Sequence, residues 1–230
     1  MCRGISVESY RTDEEQVEAL KSWWAENGKS IALGVVVAIA AVFGWQGWQK
    51  QQETRLAEAS ANYQNLLEAD SAAESDGTKV TTARHLAETL KADYPGTTYA
   101  IFGAMYKAKY AAQSSQWDEA ETELRWVLEQ KPSEPMMLQA KVRLAHVLLA
   151  QKRYEDAQQV LAGSELGSYA ALIAETRGDI LLAQGDNSGA LAAYEQAKAE
   201  LAALDNASPN PLLDMKINDL QQVQDGAAEE

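Results

Sequence analysis

Cysteine, histidine and basic residues are scarce in this chain of 230 residues. Cys2 is the only cysteine, which excludes an intrachain disulfide and a zinc site built from several cysteines. His85 and His146 are the only histidines, so ligands for a metal centre are few. The 20 Lys and Arg against 34 Asp and Glu give a net charge of −14. This acidity argues against a nucleic-acid binder, because such proteins need a positive surface for phosphate.

Proline is rare as well, with five residues, whereas Ala, Leu, Glu and Gln dominate. This composition favours helix nearly everywhere, and no segment shows the alternation of a strand, so an all-α fold is predicted. Catalytic signatures are missing too: the chain has no G-x-S-x-G, no glycine-rich phosphate loop and no His-x-x-x-His pair. We therefore expect no catalytic residue, no metal and no cofactor, and a protein that is not an enzyme.

One long uncharged run stands out, Ser30 to Gln49. As a helix its 20 residues would span about 30 Å, the thickness of the hydrocarbon core of a bilayer. Tryptophans flank the run and would lie at the two membrane interfaces: Trp23 and Trp24 before it, Trp45 and Trp48 at its end. A transmembrane helix is the favoured interpretation. A buried core helix and a cleaved signal peptide are the alternatives.

The distribution of charge around the run predicts its orientation. Four basic residues precede it, and two follow in a comparable window: Arg3, Arg11, Lys21 and Lys29, then Lys50 and Arg55. The excess favours a cytoplasmic N-terminus. Four segments result: a short cytoplasmic segment with an amphipathic helix (1–29), in which Asn27 and Gly28 could form a break, a transmembrane helix (30–49), an extracytoplasmic domain (50–223) and a disordered tail (224–230).

The domain that follows contains internal repeats. Ala120, Ala157 and Ala190 begin similar segments at separations of 37 and 33 residues, close to the period of about 34 residues of tetratricopeptide repeats. Twelve residues before each alanine lies a small residue, and four after it a large one: Ala108, Ala145 and Gly178, then Leu124, Leu161 and Tyr194. Such pairs are typical of two helices that approach closely within one hairpin.

These repeats predict an α-solenoid of about four helical hairpins that bury a continuous core by stacking. The first hairpin would pair residues 53–70 with residues 80–94 across a polar loop at 71–79. A C-terminal helix, Pro211–Val223, would cap the stack through Leu212, Met215, Leu220 and Val223. Chance similarity within an alanine-rich bundle is the alternative.

The first helix of each hairpin would line a concave groove. Projection of the repeat gives Phe102, Met105, Lys109 and Ala112 in one hairpin, Gln139, Val142, His146 and Leu149 in the next, and Leu172, Glu175, Asp179 and Leu182 in the last. This largely apolar set suits an extended or helical peptide. Packing between neighbouring hairpins is an equally good explanation for each residue.

Particular segments resemble the YfgM family of ancillary subunits of the bacterial Sec translocon. The resemblance lies in DEEQVEALKSWWAENGKSIALGVVVAIAAVFGWQGWQ (Asp13–Gln49), SANYQNLL (Ser60–Leu67), the arrangement around Arg177–Glu195, and MKINDL (Met215–Leu220). Their order covers nearly the whole chain, about residues 12–222.

The resemblance implies a single-pass protein of the bacterial inner membrane with a periplasmic tetratricopeptide-like domain. It implies partners as well: the SecYEG translocon, a membrane-anchored PpiD-like periplasmic chaperone, and exported unfolded polypeptides that leave the channel. It also implies an alternative function, in which the cytoplasmic helix Thr12–Glu26 restrains a response regulator of envelope stress. A scaffold for other envelope complexes is a further alternative.

Overall fold

The computed structural model describes residues 13–164, 169–204 and 208–228. These residues form nine α-helices and no strand, which confirms the predicted all-α class. In chain order the helices are α1 (Asp13–Ser75), α2 (Lys79–Asp93), α3 (Thr98–Gln113), α4 (Trp117–Glu129), α5 (Glu134–Ala150), α6 (Tyr154–Leu161), α7 (Ala170–Ala183), α8 (Asn187–Ala202) and α9 (Pro211–Ala228).

Helix α1 is longer than the sequence predicts. It continues through Asn27 and Gly28, so the predicted break there is wrong. The Trp24 ring packs over Gly28, and a Cβ at that glycine would lie 3.1 Å from the indole. Once a helix has formed, a single glycine lowers the stability of the helix without ending it. The helix also ends at Ser75 rather than Asp70, which shortens the predicted loop to residues 76–78.

The chain divides into two compact units, Met1–Arg55 and Leu56–Glu230. In the first unit the uncharged run 30–49 has no buried residue. Leu33 and Phe43 leave 66% and 68% of their surface exposed. By length and composition this part of α1 is a candidate membrane span. A buried core helix, one alternative for the run, does not fit this exposure.

The second unit is a stack of helical hairpins. The C-terminal part of α1 packs on α2 through Leu66, which is buried with Ala83 and Leu90. The pairs α3/α4, α5/α6 and α7/α8 follow, and α9 packs on α8. Four hairpins and a capping helix therefore agree with the predicted solenoid.

The repeated small and large residues form the interior of these hairpins. Ala108 and Ala145 are buried, as are Leu124 and Leu161. In the last hairpin Gly178 faces Tyr194, and a Cβ at the glycine would lie 2.4 Å from the tyrosine ring. Only glycine leaves room there for the larger partner.

Three hairpins share the same turn after their first helix. Ser115, Lys152 and Gly185 have φ angles of 58°, 59° and 84°, in the left-handed region. In each case the following amide donates a hydrogen bond to a carbonyl of the last helical turn, as Gln116 does to Ala111 over 2.8 Å. This hydrogen bond is typical of a Schellman motif, which ends a helix and reverses the chain.

Helix α9 differs from the prediction in register and length. Leu213, Ile217 and Leu220 are buried against the stack, whereas Leu212 and Met215 are exposed. Val223 is exposed as well, so only Leu220 of the predicted set faces the core. The helix extends to Ala228, and the predicted disordered tail is therefore helical over 224–228. No proline interrupts α9 there, and a formed helix extends readily. Residues 229–230 lie outside the described ranges.

Candidate binding groove

A cavity of about 830 Å³ lies between α3 and α5, the first helices of two successive hairpins. Residues of α1 and α4 complete its walls. Its lining consists of Tyr63, Phe102, Met105, Tyr106, Ala108, Lys109, Ala112, Gln113, Trp117, Leu124, Met136, Gln139, Arg143, His146, Val147 and Ala150. The volume is within the range of natural ligand sites, about 300–1,000 Å³. We call this cavity the α3–α5 groove.

The floor of the groove belongs to the hydrophobic core. Met105, Leu124 and Val147 are buried within the same apolar cluster that joins the hairpins. The rim is exposed along α5, at Gln139 and Ala150. The groove therefore has a fixed apolar base and an open side.

Aromatic rings form one end of the groove. Tyr63 of α1 stacks on Phe102 of α3, with ring centroids 4.9 Å apart. Tyr99 lies against Tyr63 with a centroid separation of 5.8 Å. Rings packed against each other are held in place and present a flat apolar surface.

The charged residues that line the groove are all basic or histidine. Lys109 is already neutralised, since its Nζ lies 2.6 Å from Asp70 Oδ1. Tyr110 also donates a hydrogen bond to Asp70 over 2.6 Å. Burial would raise the pKa of Asp70, but the hydrogen bonds from Lys109 and Tyr110 outweigh it and hold the pKa below its ordinary value. Arg143 forms no ion pair with any carboxylate in the described ranges.

His146 lies at the far edge of the groove. Its Nε2 is 3.8 Å from Asp179 Oδ2, beyond hydrogen-bond distance. Desolvation lowers the pKa of His146, and Lys216 acts in the same direction, while Asp179 and Glu175 oppose them. The imidazole is therefore mainly neutral at pH 7 and can both donate and accept a hydrogen bond.

The predicted groove residues are divided between this lining and the core. Phe102, Met105, Lys109 and His146 line the groove. Val142 is only 5% exposed and belongs to the core cluster, and Leu149 packs partly buried against it. The lining face of α5 runs through Gln139, Arg143, His146 and Ala150, and Val142 and Leu149 lie off this face.

The predicted residues of α7 lie outside the groove. Leu172 is 40% exposed. Glu175 and Asp179 are instead bound by Lys216 of α9, whose Nζ lies 2.8 Å from Glu175 Oε1 and 2.7 Å from Asp179 Oδ1. Asn210 donates a further hydrogen bond to Glu175 over 3.1 Å. The two carboxylates at this end of the stack are therefore already bound by Asn210 and Lys216.

Several lining residues were not predicted for the groove, among them Tyr63, Tyr106 and Arg143. Arg143 follows Gln139 by four residues and precedes His146 by three, so helical spacing alone could have found it. Tyr63 comes from a hairpin whose contact with α3 no local pattern reveals.

Outside the groove, the four predicted interface tryptophans are exposed on α1, between 50% and 64%. Trp45 and Trp48 lie close together, with ring centroids 5.2 Å apart. Over the described part of the chain, no group of three His, Cys, Asp or Glu side chains could hold a metal ion.

The sequence is similar to a recognised family over nearly its whole length. The family model described as a tetratricopeptide repeat-like domain matches residues 21–222. A relative from Escherichia coli, named "Ancillary SecYEG translocon subunit", is 30% identical over 215 residues, which covers 93% of this chain and 99% of the relative. Relatives of the same name from Haemophilus influenzae and Neisseria gonorrhoeae are 30% and 26% identical, over 92% and 91% of this chain. The chain belongs to this family.

A solved structure gives independent support for the fold of this ancillary subunit family member. BtubC from P. vanneervenii has a TM-score of 0.52 at 13% identity, covering 71% of this chain and 82% of that one. At this identity the likeness concerns the fold alone. The predicted family and the helical hairpin architecture are thus confirmed, and α1 contains one candidate membrane span.

Proposed function

We propose that this chain is a non-enzymatic ancillary subunit of the SecYEG translocon, anchored in the bacterial inner membrane by residues 30–49. The observation that carries the proposal is full-length similarity to relatives that bear this name. The wholly unburied apolar run of α1 supports the anchor.

The proposed topology places residues 1–29 in the cytoplasm and the domain 50–223 in the periplasm. Four basic residues before the span against two after it support this direction. The domain contains no cysteine, which suits an oxidising compartment.

The proposed action is binding: the domain holds a PpiD-like membrane-anchored chaperone and assists exported polypeptides as they leave the channel. The α3–α5 groove supports this role, since an apolar base with an open, polar rim suits a segment of another chain.

Purification of the full chain in mild detergent tests the proposal. We expect SecY, and a PpiD-like chaperone, to be enriched at least tenfold over a purification of an unrelated single-pass protein, as quantified by mass spectrometry. A matched variant carries an unrelated membrane helix in place of residues 30–49, and separates contacts of the span from those of the domain. Absence of SecY from the wild-type sample would contradict the proposal.

A second function is favoured by a separate observation. Val17 and Leu20 of α1 lie outside the proposed span, yet they are 49% and 64% exposed. An apolar surface of this kind fits a cytoplasmic partner such as a response regulator of envelope stress. Deletion of residues 1–26 tests it: we expect loss of the regulation with SecY enrichment unchanged. Unchanged regulation would remove this function.

A further inference from the structure

The charge of the α3–α5 groove is opposite to that of the domain around it. Residues 51–230 contain 15 Lys and Arg against 28 Asp and Glu, a net charge of −13. The groove lining contains Lys109, Arg143 and His146 but no carboxylate. Charge of one sign inside a concave, partly desolvated surface attracts a ligand of the other sign.

Arg143 provides the positive charge that is free to act on a ligand. Lys109 is neutralised by Asp70, and His146 is mainly neutral at pH 7. Arg143 lies on the exposed rim of α5 and forms no ion pair with the side chains the structure describes. It also acts across the groove, since burial and Asp70 raise the pKa of Tyr106 on α3 while Arg143 opposes that rise.

An apolar surface lies in the same groove. The stacked rings of Tyr63 and Phe102 form one end, Met105 belongs to the base, and the partly buried Met136 provides an adaptable apolar contact. A planar guanidinium beside such a surface can hold a carboxylate through two hydrogen bonds while a neighbouring side chain is buried.

We propose that the α3–α5 groove binds a polypeptide segment in which an acidic side chain stands next to a large aromatic or aliphatic one. The carboxylate pairs with Arg143, and the apolar side chain packs on Phe102 and Met105. An anionic bilayer fits the site poorly, because the surrounding domain carries a large negative charge that opposes its approach. The origin of the segment, from the chaperone or an exported chain, rests on the proposed function, but the preference for an acidic segment does not.

Fluorescence anisotropy with labelled peptides tests this preference on the full chain in a nonionic detergent. One probe contains the sequence Ala-Phe-Glu-Leu-Ala, and the matched probe has Gln in place of Glu. We expect the Glu peptide to bind about tenfold more tightly at low salt, the effect of one charge-assisted hydrogen-bonded pair. Arg143→Gln should abolish this difference, whereas Arg125→Gln, on α4 and outside the lining, should retain it.

A second variant tests the location without changing charge. Ala112→Trp should fill the groove and weaken both peptides at least fivefold, with circular dichroism checking that the helices persist. Equal binding of the two peptides, a preference that survives Arg143→Gln, or no binding by the wild type at millimolar peptide would each overturn the inference. If SecY still co-purifies in those cases, the proposed function stands and the peptide preference alone has failed.

Discussion

The middle of the stack and its C-terminal end differ at the same position of the repeat. At α3–α5 the first helices leave an open groove with an unpaired Arg143 on its rim, among the side chains whose placement is described. At α7 the corresponding surface carries Glu175 and Asp179, and Lys216 of α9 binds both carboxylates. Tyr194 adds to this closure, since its hydroxyl donates to Asp179 over 2.7 Å and its ring lies 5.2 Å from Lys216 Nζ.

The difference shows that a repeat motif determines the helix packing but not the chemistry of the exposed surface. Ala145 and Gly178 occupy equivalent positions and are both buried. Their neighbours on the groove side, however, meet different partners: His146 faces solvent and the groove, and Asp179 faces α9. The capping helix therefore makes the last hairpin a closed end.

The largest effect should follow from a methyl group at the closed end. Gly178→Ala places a Cβ within 2.4 Å of the Tyr194 ring, which is fully buried and cannot move aside without displacing its neighbours. We expect a loss of about 2–3 kcal/mol in the free energy of unfolding, the upper range for overpacking. Urea unfolding followed by circular dichroism in mild detergent measures it.

A double variant serves as the control for that prediction. Gly178→Ala combined with Tyr194→Leu reproduces the alanine and leucine pair of the preceding hairpin, Ala145 and Leu161. Most of the lost stability should return, although the hydrogen bond to Asp179 is absent. A single variant as stable as the wild type would show that the Gly178–Tyr194 contact does not distinguish the last hairpin from the one before it.

An intermediate effect should come from the ion pairs that hold α9. Lys216→Met leaves Glu175 and Asp179 without their cation, and these carboxylates are only 15% and 25% exposed. We expect a loss of about 1–2 kcal/mol and faster amide hydrogen exchange within α9.

Lys198→Met is the matched control, because Lys198 of α8 forms another ion pair with α9. Lys198 contacts Asp214 at 2.6 Å, but the two side chains are 60% and 47% exposed. Such a pair should contribute less than about 0.5 kcal/mol. Equal effects of the two substitutions would contradict a closed end stabilised by Lys216.

The smallest effects should come from the turns that the hairpins share. Ser115 and Lys152 adopt the left-handed conformation that Gly185 adopts in the last hairpin. Ser115→Gly and Lys152→Gly should each stabilise by about 0.5–1 kcal/mol, and Gly185→Ala should destabilise by a similar amount. Shifts of the thermal midpoint in these opposite directions are the measurement. Destabilisation by both glycines would mean that side-chain contacts outweigh backbone strain.

The hairpins could be predicted from the sequence because the signal is local and repeated. Alanine or glycine at one position and a large residue sixteen later, as at Gly178 and Tyr194, reflect a contact that recurs in three of the four hairpins. The ends of α4 and α2 likewise lie close to Pro132 and Pro95, as helix-breaking residues require.

The groove could be predicted only in part, because its walls come from distant segments. The lining face of α3 was found, but Tyr63 reaches it from α1 and Lys216 closes α7 from α9. The register of α9 was wrong since Leu212 and Leu213 are adjacent leucines, and only packing decides which one faces the core. Pairing between helices is thus the information that a single sequence lacks.

Photo-crosslinking in cells tests the central claim most directly, namely that the α3–α5 groove is the surface that meets other proteins. A photoreactive amino acid replaces Gln139, which is exposed on the groove rim, or Leu172, which is exposed on α7 outside the groove. We predict adducts with a partner chain at least fivefold more abundant from position 139. Equal yields, or a higher yield from position 172, would contradict the account.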